Sequence, residues 1–384
     1  MTTTVPTTSP VDLVTPAGAV ESVALTSPES APAPATTPGP SATSVSRSRW
    51  LGLARLLGAV FGAFALFGVL MVFKGTNPFT AYADMFRSTF QDKNQIAGII
   101  VRATPVMLAG LAVAIPARAG LINVGGEGQL LMGAVGAMGV SLLFHGKVSG
   151  PVSLVVMALA AAIAGGIWAA IAAFLRLAVG IAESVTTLLM NYIALDLMYF
   201  LIYDVWKDRG GSGQPATKPV ANSERLPLLG GTRVHVGIFI AVAATLVVFV
   251  VFRTTSWGFR LRVVGGNTEA GRRAGLNVSR LILTAMLAGG FLAGLGGFCQ
   301  LAGAEYKIRS GLLAGYGYVG FLASWLARHR PIGVMLACLL LSSIVIGGDS
   351  LQLDSKLPAA SVNVLMALVL LGAFGFGRKR APAS

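Results

Sequence analysis

Long apolar runs separated by short polar or basic breaks fill this chain from about residue 50 to its end. Breaking the runs at charge clusters and Gly/Pro turns predicts ten helices, near 51–73, 96–117, 120–143, 152–175, 183–203, 235–252, 281–303, 312–327, 332–347 and 358–377. Several runs reach the roughly 20 residues that a helix needs to cross the hydrocarbon core, and short alternating segments of the β-barrel kind are absent. The predicted fold is all-α, a polytopic transmembrane helical bundle of about ten spans.

Composition supports that picture. Of 384 residues, 54% are hydrophobic and 11% charged, which excludes an ordinary soluble domain. Residues 1–46 stand apart, being built from Thr, Ser, Pro, Ala and Val without Lys, Arg or a sustained helical pattern. They read as a disordered cytoplasmic tail ahead of a transmembrane domain at 47–384. The tail also lacks the basic start and compact apolar core of a secretory signal.

The formal net charge is +14. With a cytoplasmic N-terminus and an even number of crossings, Arg176, the 253–280 loop, "RHR" at 328–330 and "RKR" at 378–380 all fall on the cytoplasmic side. The expected topology has both termini cytoplasmic. The basic residues flank membrane segments rather than interleaving with aromatics on one soluble face, so a nucleic-acid partner is not expected. Cys299 and Cys338 lie inside predicted spans, and His145, His235 and His329 lack companions at ligand spacing, so no metal site is expected.

"RAGLINVGGEG" at 118–128 and "RSGLLAGYGYVG" at 309–320 share an Arg-small-Gly-Leu start before a glycine-rich run. In the expected topology they begin from opposite faces, as in an inverted internal repeat. Transporters built this way often place the substrate path between the halves.

Three constellations carry candidate function. Glu127 lies in an apolar stretch with Asn123 and Gln129, among Gly125, Gly126 and Gly128. A charge exposed to lipid there costs at least ~2.5 kcal/mol, so Glu127 must face a polar cavity or a partner. The glycines allow close helix approach or local unwinding, which suits a solute path and equally an inter-helical polar lock. Next, Glu183, Thr187 and Asn191 recur at four-residue spacing and share a helical face, with Ser184, Tyr192 and Asp196 as a neighbouring stripe. Arg102, in the second predicted span, has a side chain long enough to reach the outer interface by snorkelling, and no role is assigned to it. The third feature is the 253–280 loop, which has six arginines and the helical-looking "NTEAGRRAGL". Asn267 suits a cap, Glu269 and Ala270 a first turn, and Gly275 a helix end.

The segments "TPVMLAGLAVAIPARAGLINVGGEGQLLMGA", "ESVTTLLMNYIA" and "LRVVGGNTEAGRRAGLNVSR" resemble the permease subunits of bacterial ABC importers for nucleosides and simple sugars. These belong to the broader branched-chain amino acid/ribose permease family, and the likeness runs from about residue 96 to the C-terminus. It implies a multi-pass inner-membrane subunit that pairs with a second, similar permease. It also implies docking to cytoplasmic ABC ATPase subunits and receipt of solute from an extracellular substrate-binding lipoprotein. Carried over, Gly265, Gly266, Asn267, Glu269, Ala270, Arg272, Arg273 and Gly275 become the ATPase-coupling region. Asn123, Glu127, Gln129, Glu183, Thr187 and Asn191 become candidates for the substrate path.

No G-x-x-x-x-G-K-[ST] phosphate loop occurs, so ATP and Mg are expected on the partner ATPase, with no cofactor on this chain and no catalysis by it. A nucleoside is the expected solute and a ribose-like sugar the alternative. An ion-coupled carrier using Glu127, Glu183 or Asp196 is the rival of another class.

Overall fold

The computed structural model describes residues 58, 60–144, 147–211, 213–354 and 360–377. The 1–46 tail, the first residues of the 51–73 helix and the "RKR" cluster lie outside them.

The described residues open with helix α1 (Val60–Phe73), bent by 118° into α2 (Pro78–Gln91). The segment expected as a loop at 74–95 is thus largely helical. Its breaks are locally encoded: Asn77 accepts from the Phe79 N–H at 3.0 Å with Pro78 in the first turn, and Asp92 accepts from the Asn94 N–H at 2.8 Å. The helices α3 (Lys93–Arg118), α4 (Gly126–Phe144), α5 (Gly150–Val179) and α6 (Glu183–Phe200) follow. After a long irregular stretch come α7 (Gly237–Thr254), the short α8 (Ser256–Gly266) and α9 (Thr268–Arg273), and α10 (Val278–Gln300). The chain closes with α11 (Tyr316–Leu326), α12 (Pro331–Asp354) and α13 (Ala360–Gly377). Single π turns, Leu201–Val205 and Leu301–Glu305, extend α6 and α10.

Each of the ten predicted helices has a counterpart, but the number able to span is smaller. Among the described residues seven helices are long and apolar enough, or eight if α1 and α2 form one broken span. The clearest shortfall is the run at 312–327, where α11 has only 11 residues. At 1.5 Å per residue that is about 16 Å, roughly half the hydrocarbon thickness.

The inverted repeat is visible in the packing. Gly289 of α10 lies against Ala112 and Pro116 of α3, and Gly296 lies against Pro105 and Leu108, so the two helices run antiparallel. Helix α3 packs on α11 at Gly110 and Gly320 and on α12 at Val334 and Cys338. Helix α10 packs in the same way on α4, at Leu130 and Gly133, and on α5, at Gly165 and Ala169. Each half's first helix is therefore gripped by the second and third helices of the other half. Small residues at these crossings bring the backbones together, which is how helices associate where lipid removes the hydrophobic drive.

The described part of the 206–234 connection is hydrogen-bonded to the bundle. Its backbone donates from Thr217, Val220 and Leu226 to the carbonyls of Ile308, Tyr306 and Ala302 at 2.7–2.9 Å. Glu224 is fully buried and accepts from the hydroxyls of Ser141 on α4 and Ser153 on α5. At the end of this connection the buried His235 accepts from the Gly237 N–H through Nδ1 at 3.2 Å. Burial pushes its imidazole down to about 4. The unfolded chain binds that proton near pH 6.5, so the neutral ring's contribution to stability is complete above ~6.5 and is lost as pH falls toward 4. Thermal unfolding at pH 7 and pH 5 should show a drop on acidification that His235→Gln makes smaller.

Candidate functional site

The site begins where α3 ends. Gly120, at φ +79°, turns the chain back, and the Asn123 amide donates to the Ala112 carbonyl at 3.0 Å, so residues 119–125 fold beside the last turns of α3. Irregular backbone inside a membrane bundle must find hydrogen-bond partners within the protein. Helix α6 supplies them. The Glu183 carboxylate accepts from the Ile122 N–H at 2.9 Å, and the Thr187 hydroxyl accepts from the Val124 N–H at 3.1 Å. The Asn191 amide accepts from the Gly128 N–H at 2.8 Å and donates to the Val124 carbonyl at 3.0 Å. The four-residue spacing of these side chains thus sets them in turn against Ile122, Val124 and Gly128 of the connection and the first turn of α4. Glu183 is also ion-paired with Arg176 at the end of α5. Asn123 and Gln129 close the arrangement with a reciprocal amide pair at 3.0 and 3.2 Å.

Glu127, in the first turn of α4, reaches the other half of the repeat. Its carboxylate oxygens accept from the N–H groups of Gly315 at 2.6 Å and Gly317 at 2.7 Å, at the N-terminus of α11. One carboxylate therefore satisfies two orphan donors and sits at the positive end of a helix dipole. The two sequence echoes meet here: Gly126 lies against Gly317, and Gly120 and Gly311, at the same offset in each segment, both have positive φ (+79° and +84°).

All six intramembrane candidates are buried, none more than 8% exposed. They form one joint linking α3, α4, α6 and α11, and their polar atoms are directed at protein groups: backbone, each other, Arg176 and Tyr318. The other α6 stripe differs: Tyr192 is 59% exposed, and Asp196 is exposed and has no ion pair among the described residues.

Arg102, unassigned from the sequence, has its partner within the bundle. Its guanidinium lies over the Tyr316 ring, 4.4 Å from the centroid, half-buried within the bundle. A cation–π contact of this kind retains the charge inside. Tyr316 and Tyr318, the latter accepting from Asn191 Nδ2 at 3.4 Å, border the joint and were not singled out from sequence. Their signal was present, because they align with Gly125 and Glu127 in the echo.

The 253–280 loop holds two helices rather than one. Asn267 caps α9 by accepting from the Ala270 N–H at 2.9 Å, Glu269 pairs with Arg272 and Arg273, and Gly275 follows at φ +76°. Arg272 and Arg273 are 69% and 81% exposed. Gly265, at the end of α8, lies against Arg118 and Gly120, whereas Gly266 has nothing near it. The α8–α9 region therefore touches the segment that leads into the joint.

An inverted-repeat helical bundle whose α8–α9 region touches the segment leading into its polar centre is the architecture of a multi-pass membrane protein. Residues 95–374 match the family described as branched-chain amino acid transport system / permease component. The chain belongs to that family. It is 36% identical over 318 residues to a glucose ABC transporter permease protein of Haloferax volcanii, covering 79% of this chain and 82% of that one. It is 33% identical over 310 residues to a guanosine ABC transporter permease protein of Bacillus subtilis, covering 79% and 87%. A nucleoside ABC transporter permease protein of Lactococcus lactis is 27% identical over 316 residues, covering 80% and 86%. The chain is accordingly an ABC transporter permease subunit of the plasma membrane, with no ATPase site of its own, and it works with separate ATPase subunits and a substrate-binding protein.

Proposed function

We propose that this subunit forms half of a nucleoside translocation path, facing a second, similar permease across α6. The observation that carries this reading is the exposed Tyr192–Asp196 stripe on a spanning helix. An ionised Asp against lipid is disfavoured by ~2.5–3.5 kcal/mol, whereas water or a partner subunit removes that cost. The aromatic ring and carboxylate on one face suit a solute that carries both a planar base and hydroxyl groups. The named guanosine and nucleoside relatives support a nucleoside. The glucose relative supports a simple sugar as the second reading.

In this account ATP and Mg act on the partner ATPase, which docks on α9. Its motion passes through Gly265 to Gly120, and from there through the 119–128 segment to α6 and, by Glu127, to α11. The six buried residues position the path-lining helices. Arg272→Glu together with Arg273→Glu should reduce co-purification of the ATPase by about tenfold or more while membrane insertion is unchanged, because exposed charges contribute to docking rather than to the fold. The α8–α9 face and both termini are assigned to the cytoplasm, and the substrate-binding lipoprotein to the outside.

The test is uptake of labelled guanosine, adenosine and uridine in cells with and without the chain, with excess ribose or glucose as competitor and a parallel ATP-depleted sample. Loss of ATP-dependent, sugar-resistant nucleoside uptake on deletion supports the proposal. Unchanged nucleoside uptake with lost sugar uptake selects the second reading, and uptake that survives ATP depletion selects an ion-coupled carrier.

A further inference from the structure

An apolar groove of about 570 Å³ runs between α5, α7 and α10, with Trp257 of α8 also in its lining. It lies apart from the joint. Its walls include Ile163 and Ile167 of α5, Val247 and Val251 of α7, and Phe291 of α10. Ile163, Ile167, Val247 and Phe291 are 53%, 55%, 60% and 40% exposed, on helices long and apolar enough to span. In a bilayer such a groove faces hydrocarbon.

The lining around Trp257 has a distinct chemistry. Trp257 donates from Nε1 to the Thr284 hydroxyl at 3.2 Å, which fixes an indole at the boundary between apolar and polar surroundings, where Trp is enriched in membrane proteins. Arg260 lies three residues beyond Trp257 on α8, and Arg280 lies four residues before Thr284 on α10, so each continues a groove-lining face by about one helical turn. Both are exposed, and neither has an ion pair among the described residues. Arg253 and Arg262 add positive charge nearby in the sequence, and the loop's one acidic residue, Glu269, is already paired with Arg272 and Arg273.

We propose that this groove binds a phospholipid with a net negative headgroup, one acyl chain lying along α5, α7 and α10 and the phosphate held at its mouth by Arg260 and Arg280. The apolar wall accounts for the chain, and the uncompensated arginine pair accounts for selectivity by charge. The site links lipid composition to the α8–α9 region because Arg260 and Gly265 share one short helix.

The test uses the full-length chain with its partner subunits in phosphatidylcholine nanodiscs. These carry equal small fractions of dibrominated phosphatidylglycerol or dibrominated phosphatidylcholine. The Trp257 signal is the emission lost in Trp257→Phe. Brominated phosphatidylglycerol should quench that signal at least about threefold more effectively than brominated phosphatidylcholine, and Arg260→Gln with Arg280→Gln should equalise the two. Equal quenching in the unaltered protein overturns the proposal. So does a preference that survives in the double variant, which places the charge selectivity elsewhere. Absence of quenching by either lipid also overturns it, because a protein surface, such as a second permease, then covers the groove.

Discussion

Gly265→Val is expected to abolish ATP-driven uptake by the assembled transporter. A Cβ at this position would lie 3.0 Å from both the Arg118 carbonyl carbon and the Gly120 nitrogen, and still closer to the Arg118 carbonyl oxygen. These are backbone atoms, so no side-chain rotation relieves the contact, and the end of α8 must move away from the start of the 119–125 segment. In the proposed coupling this is the point where ATPase motion enters the bundle. Uptake should fall at least about tenfold while the chain still inserts and retains its ATPase, since a displacement near 1 Å suffices for effects of that size. Gly266→Val, one residue away where a Cβ meets nothing within 4 Å, is the control and should be close to neutral. Co-purification with the ATPase, its basal hydrolysis and uptake together separate lost coupling from lost assembly.

Glu127→Ala is the second large effect. It removes the acceptors of two N–H groups, the part-buried one of Gly315 and the buried one of Gly317, and withdraws the negative charge from the α11 N-terminus. Leaving a buried donor unsatisfied costs about 1–3 kcal/mol, which the Gly317 N–H alone incurs, and the part-buried Gly315 N–H adds less. Transport should be lost and the detergent-solubilised protein should unfold at lower temperature. Glu127→Gln keeps one acceptor oxygen and should lie between the two. A mutant that transports poorly yet unfolds at the original temperature would place Glu127 in direct contact with solute instead.

Local signals were legible in the sequence where the physics is local. Asn267, Glu269 and Gly275 specified α9 because caps and C-terminal glycines act within a few residues. The stripe of Glu183, Thr187 and Asn191 was legible as one helical face. What that face meets was not, because its partners are backbone groups of Ile122, Val124 and Gly128, 61–67 residues earlier in the chain. The run at 312–327 read as a span because Leu312 and Leu313 extend its apolar character. Leu313 takes φ +60° and Gly315 φ +82°, so the helix starts only at Tyr316. A positive φ at leucine has no local sequence signature. Arg102 has no role legible in the sequence because its ring partner, Tyr316, lies 214 residues away. The repeat was visible as an eleven-residue echo, and its meaning emerged from the contact between Gly126 and Gly317.

The central claim, that the outward stripe of α6 faces a nucleoside path, is tested most directly by chemical accessibility at Asp196. Cys299 and Cys338 are both fully buried, so a cysteine introduced as Asp196→Cys supplies the accessible thiol among the described residues. The full transporter in sealed vesicles is treated with a membrane-impermeant thiol reagent, alone and with saturating guanosine or glucose. The account predicts labelling of Cys at this position that guanosine suppresses and glucose does not. A thiol that never labels, or one whose labelling is indifferent to guanosine, would contradict it.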